Sequence, residues 1–162
     1  MCGQENADYS FLVDASGSIL SDEFAKLKQF INGVVDYLSI GRALTHVGLI
    51  EYSGSAKMQI SFNTSYDKED IKKRVDDVPH TAGITRIDLA LKVASEELFT
   101  EESGMRQNSR KVKYVTKGQI SIITYCMVIC FNSVVLQLFC LEPCQVKLPF
   151  LPNFKLFCVS TI

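Results

Sequence analysis

The chain has 162 residues, 47% of them hydrophobic and 22% charged, with a formal net charge of −1. That length suits one domain with a sizeable core, and the apolar content excludes a largely disordered polymer. The near-neutral balance gives no electrostatic reason to expect nucleic acid or an anionic membrane surface as a partner.

The first residues, Met1-Cys2-Gly3-Gln4-Glu5, are polar and acidic where an export signal would need a basic and then an apolar stretch. A short lead without such a signal suggests a piece of a larger multidomain protein. Residues 9–13 are an apolar run, read as a buried strand that ends in Asp14-Ala15-Ser16-Gly17-Ser18. Ser21 is a natural N-cap, with Asp22 and Glu23 well placed in the first helical turn. Phe24, Leu27, Ile31, Val34 and Leu38 recur at steps of three and four, so one helix face is apolar, and Gly41 is expected to end it. Val47-Gly48-Leu49-Ile50-Glu51-Tyr52 reads as a second strand. Ser53-Gly54-Ser55 is a turn, and Met58-Gln59-Ile60-Ser61-Phe62 alternates as a half-exposed third strand should. Asp67 caps a second helix with Ile71, Val75 and Val78 on one face, closed by Pro79. After the loop Ala82-Gly83-Ile84-Thr85, the residues Ile87, Leu91, Ala94 and Leu98 mark a third helix.

Strands alternating with amphipathic helices predict a Rossmann-like, doubly wound α/β fold with a mostly parallel sheet. The hairpin adds one antiparallel edge strand, and the fold reads as incomplete on its C-terminal side. Composition breaks near Val112: beyond it lie one acidic residue, Glu142, and five of the six cysteines, Cys126, Cys130, Cys140, Cys144 and Cys158. Two segments follow, a domain over residues 1–111 and an atypical Cys- and Phe-rich tail over 112–162. Three readings of the tail stand open: read-through sequence never selected to fold, a buried strand over 120–131 beside the first strand, or a membrane span over 119–141. The tail cysteines lack histidines and CxxC spacing, which argues against zinc.

An apolar strand that stops at Asp-x-Ser-x-Ser leaves one carboxylate and two hydroxyls at its carboxyl end. Oxygen-only ligands suit a hard cation such as Mg²⁺, and the crevice beyond the strand ends is where open α/β sheets bind ligands. The residues Asp14-Ala15-Ser16-Gly17-Ser18, Val47-Gly48-Leu49-Ile50, Tyr52-Ser53 and Gly83-Ile84-Thr85-Arg86-Ile87-Asp88-Leu89-Ala90-Leu91 together resemble the von Willebrand factor A domain, the fold of the integrin inserted domain. The third-helix loop is similar to that of matrilin-like, cochlin-like and collagen-associated members. The resemblance implies a metal-ion-dependent adhesion site with Asp14, Ser16, Ser18 and Thr85 as metal ligands. It also implies an extracellular or secreted setting, and partners in the matrix or on cell surfaces that present Glu or Asp. The family's Thr-Asp-Gly falls on Thr116-Lys117-Gly118, so Lys117 replaces the expected aspartate, and Mg²⁺ binding would be weak or absent. Many extracellular members pair a cysteine at the position of Cys2 with one after the last helix, and no matching partner is identifiable here.

Plainer readings stand beside these. The Asp-Ser-Ser cluster could be a turn and helix cap alone, and Thr85 could simply cap the third helix. Arg86 and Asp88 read as solvated helix charges, and His46 and His80 as ordinary loop residues. Asn63-Thr64-Ser65 fits a glycosylation acceptor. Two other functional readings remain. A phosphoryl hydrolase of haloacid dehalogenase type would use Asp14 as nucleophile, but Ser16 stands where its second carboxylate is needed. The other is a truncated product without metal competence.

Overall fold

The first two strands bury side chains on both faces, and the rest of the fold follows from the need to cover them. A computed structural model describes residues 7–107, 110–116 and 127–129. The elements are β1 (Ala7–Asp14), α1 (Ser21–Tyr37), β2 (His46–Tyr52), β3 (Ala56–Ile60), α2 (Lys68–Asp76), α3 (Ile87–Val93), β4 (Arg110–Thr116) and β5 (Met127–Ile129). One sheet takes the order β3-β2-β1-β4-β5. β1 is parallel to β2 on one side and to β4 on the other, whereas β3 runs antiparallel to β2. The doubly wound α/β architecture is therefore present. Its sheet differs from expectation in one respect: β5 is antiparallel to β4, so the described residues hold an antiparallel strand at each edge.

Every residue of β2 is buried, as continuous apolar runs in parallel strands require. Helices cover both faces. On one, α1 and α2 bury Phe24, Leu27, Ile31, Ile71 and Val75 against Phe11, Val13, Val47 and Leu49. On the other, α3 and the turn after it bury Ala90, Ala94 and Leu98 against Leu12, Ile50, Tyr52 and Phe62. The face expected for α3 is corrected here. Leu91 is exposed and Ala90 is buried, so the buried face runs through Ala90, Ala94 and Leu98 at steps of four. After Val93 the helix widens into a π-helical turn over Ala94–Leu98, closed by the Phe99 N–H donating to Ala94 O at 2.9 Å.

Two helix ends also differ from the sequence reading. Leu20, not Ser21, takes the N-cap position of α1, and Glu23 accepts its backbone N–H at 3.1 Å. The helix stops at Tyr37, before Gly41. Asp67 caps α2 as expected, accepting the Asp70 N–H at 2.9 Å.

The place beside β1 is filled by β4, not by residues 120–131, and β4 runs across the compositional break at Lys111 and Val112. No helix among the described residues is long and apolar enough to cross a membrane. Apart from Met127–Ile129, residues 119–141 lie outside the described residues, as do Cys2, Lys117 and the tail cysteines. His46 is not a loop residue: it opens β2, is buried, and its ring nitrogen lies 3.6 Å from the carboxylate of Asp8. Arg106 grips the same carboxylate through Nε at 3.0 Å and Nη2 at 2.6 Å. This cluster closes the end of the sheet opposite the Asp-Ser-Ser loop.

Candidate metal-ion site

The carboxyl ends of β1 and β2 lie side by side, with Asp14 opposite Tyr52. Ala15 donates its N–H to Tyr52 O at 2.8 Å, which carries the pairing one step past the strand. Asp14 is only 2% exposed. Its Oδ1 accepts the Ser16 N–H at 2.9 Å, the two-residue turn that aspartate favours, and this fixes the carboxylate. Two residues on, the Ser16 and Ser18 hydroxyls approach to 3.0 Å. Ser16 is buried and Ser18 faces water, so the pair spans from the interior to the surface. Burial first, and the charge of Asp14 second, push the Tyr52 phenol well above its usual range, so it stays protonated beside the carboxylate.

A second loop is laid onto this one. Ala82 donates to Ala15 O and Gly17 donates to Gly83 O, both at 2.8 Å, and Ser16 bridges Gly83 in parallel fashion. Glycine is required at this crossing. A Cβ on Gly83 would stand 2.7 Å from Gly54 N, and one on Gly17 would stand 2.9 Å from Ala82 O. Thr85 is two residues beyond the crossing and is exposed. It does not cap α3, because Arg86 occupies that position without a side-chain bond. Arg86 and Asp88 pair with each other at the surface, at 2.7 Å. His80 remains in its loop, stacks on Phe24 with ring centroids 4.7 Å apart, and reaches Ser16 O at 3.3 Å.

The structure thus brings Asp14, Ser16 and Ser18 onto one loop and ties that loop to the one bearing Thr85. Among the described residues no group of three or more His, Cys, Asp or Glu side chains could hold a metal. A cation at this rim would rest on one carboxylate and hydroxyls, a donor set that fits a hard ion keeping some of its waters. The sequence reading overlooked three neighbours: Glu51, buried on β2, Ser53, and Thr81, whose hydroxyl donates to Glu51 Oε1 at 2.6 Å. The visible signal was an acid inside an otherwise apolar strand.

Ala82 holds φ at +52°, a left-handed conformation that costs a residue with a Cβ about 1–2 kcal/mol. Glycine avoids that cost but loses more chain entropy on folding. Ala82→Gly is therefore expected to leave stability unchanged or raise it by up to about 1 kcal/mol, read as the urea midpoint. A clear drop would mean that the Ala82 methyl contributes packing.

A doubly wound sheet with an Asp-Ser-Ser loop and a threonine loop at its carboxyl rim defines the class. The chain belongs to the von Willebrand factor type A domain family, which it matches over residues 8–119. It is 32% identical over 105 residues to matrilin-3 of Gallus gallus, covering 65% of this chain and 23% of that protein. It is 34% identical to matrilin-1 of Bos taurus, covering 70% and 21%, and 34% identical to the collagen alpha-6(VI) chain of Mus musculus, covering 73% and 5%. The chain therefore spans less than a quarter of the length of these relatives. Among solved structures it is similar to proximal thread matrix protein 1 of the mussel byssus with a zinc-occupied MIDAS motif. That match has a TM-score of 0.63 and 28% identity, and covers 69% of this chain and 28% of the other.

Proposed function

We propose that this chain is a non-catalytic protein-binding module of the extracellular matrix or cell surface. Asp14, Ser16, Ser18 and Thr85 would hold a divalent cation, Mg²⁺, and the cation would supply a positive centre for a carboxylate of a partner protein. The observation that carries this reading is the double backbone tie between the Asp-Ser-Ser loop and the loop bearing Thr85, beside the 3.0 Å approach of the Ser16 and Ser18 hydroxyls. The kinship with matrilins and a collagen VI chain favours a matrix setting. So does the zinc-occupied MIDAS motif of the mussel protein, which supports a cation at the equivalent rim.

The residues present suit binding more than turnover. Asp14 is fixed by the Ser16 N–H, and the group two residues on is a hydroxyl, which cannot serve as a general acid and base near neutral pH. With a single carboxylate in the set, a bound cation would keep most of its charge for the partner. Calorimetric titration of the full chain with Mg²⁺ tests the reading. Weak binding is expected in the wild type, reversed by EDTA and abolished in Asp14→Ala. Heats that are absent, or identical in Asp14→Ala, would sink the metal-bridged mechanism.

A further inference from the structure

Glu51 is a carboxylate at 3% exposure, and no cationic side chain among the described residues lies within ion-pair distance of it. A group so placed is costly unless hydrogen-bonded. Its recorded partner is the Thr81 hydroxyl at 2.6 Å, and that hydroxyl also lies 2.7 Å from Ser53 Oγ. A carboxylate oxygen is the stronger acceptor, so the single Thr81 proton goes to Glu51. Thr81 immediately precedes Ala82, the residue with the left-handed backbone, and Ala82 donates to Ala15 O. On the far side of the loop, the Arg86 N–H donates to Ser53 O at 3.0 Å. The Thr85 loop is therefore fastened at both ends to the carboxyl end of β2, by Thr81 to Glu51 and by Arg86 to Ser53.

We propose that Glu51 and Thr81 form a latch that holds the Thr85 loop against the Asp-Ser-Ser loop, which makes Glu51 a positioning residue for the cation site. The part concerning the cation rests on the metal reading above, whereas the latch itself does not. Without the bond to Glu51, the Thr81 side chain keeps only its 2.7 Å contact with Ser53 Oγ to hold Ala82 in its unfavourable conformation. The Ala82 and Gly17 amides would then open together. Because Glu51 sits on a fully buried strand, it offers the loop a rigid anchor.

The test is amide exchange on the full chain in EDTA, followed by Mg²⁺ titration. Thr81→Val keeps the shape and removes the hydroxyl, Thr81→Ser restores it, and Glu51→Gln keeps an acceptor but weakens the bond. Thr81→Val is expected to speed exchange at Ala82 and Gly17 by about fivefold to tenfold, with β1 amides unchanged and Thr81→Ser close to wild type. Glu51→Gln is expected to give a smaller acceleration at the same two amides, and it carries the test should Thr81→Val not fold. Unchanged exchange, or equal acceleration at every amide including β1, overturns the latch. In the titration, Thr81→Val is expected to weaken Mg²⁺ by about tenfold, the usual scale for a group that orients ligands. Equal affinities for Mg²⁺ in Thr81→Val and wild type would overturn the positioning role. Selective acceleration in Thr81→Val, with a wild type that binds no Mg²⁺, would sink the metal reading and leave the latch standing.

Discussion

Arg106→Ala is expected to lower the unfolding free energy by about 3–5 kcal/mol, measured as the urea midpoint at unchanged m-value. Asp8 is fully buried. Arg106 holds it with Nε, Nη2 and its own backbone N–H, the last at 3.1 Å from Oδ2, and also reaches Ala7 O at 3.2 Å. Truncation leaves the backbone donor and the His46 ring at 3.6 Å but removes the guanidinium, so a buried carboxylate loses its strongest charge partner. The cost is asymmetric. The Arg106 side chain is 25% exposed and can turn to solvent when its partner is lost, so Asp8→Asn should cost clearly less. The double variant should recover part of the Arg106→Ala loss, because the stranded charge is gone. Equal costs for the two single variants would mean that packing, not the buried charge, sets the effect. The contact matters for the site because it joins the segment after α3 to the start of β1, the strand that ends in Asp14.

Some of the fold was legible in the residues and some was not, for physical reasons. The core faces of α1 and α2 could be read because helical period and apolar residues coincide there, and Asp67 announces its cap by residue type alone. Leu91 was misjudged because Ala90 and Leu91 both fit a helical step from Ile87, and leucine is the stronger apolar signal of the two. Strand β4 was hard to recognise as a neighbour of β1, because Arg110-Lys111-Val112-Lys113-Tyr114-Val115-Thr116 alternates basic and apolar residues where a buried parallel strand usually runs apolar. Asp8 and His46 escaped for a related reason: Arg106 lies 98 residues from Asp8 in the chain, and His46 meets that same carboxylate.

At the rim the Asp-x-Ser-x-Ser spacing was enough to bring three groups onto one loop, since bonds between residues two apart hold it. The crossing with the Thr85 loop, by contrast, depends on two glycines that pass backbone against backbone. A glycine's reason for being there is invisible until its neighbour is known. Glu51 and Thr81 were missed because they are 30 residues apart and match no motif.

Lys117→Asp is expected to tighten Mg²⁺ binding by at least about tenfold, or about 1.4 kcal/mol, in the same calorimetric titration. Strand β4 pairs Thr116 with Val13, one residue before Asp14 on the adjacent parallel strand. The next residue in the sequence is Lys117, the position that the resemblance implies for the aspartate of Thr-Asp-Gly. An ammonium within a Debye length of a divalent ion, about 8 Å at physiological salt, opposes its binding. A carboxylate there reverses that sign and adds an oxygen donor of the kind the ion prefers. Lys117→Ala separates the two contributions: it removes the repulsion without adding a ligand, and should recover only part of the gain. Matching affinities in Lys117→Ala and Lys117→Asp would limit the lysine's influence to repulsion. An affinity in Lys117→Asp no better than that of the wild type would place residue 117 away from the cation, and the Asp14 rim would then have to bind through hydroxyls and a lone carboxylate.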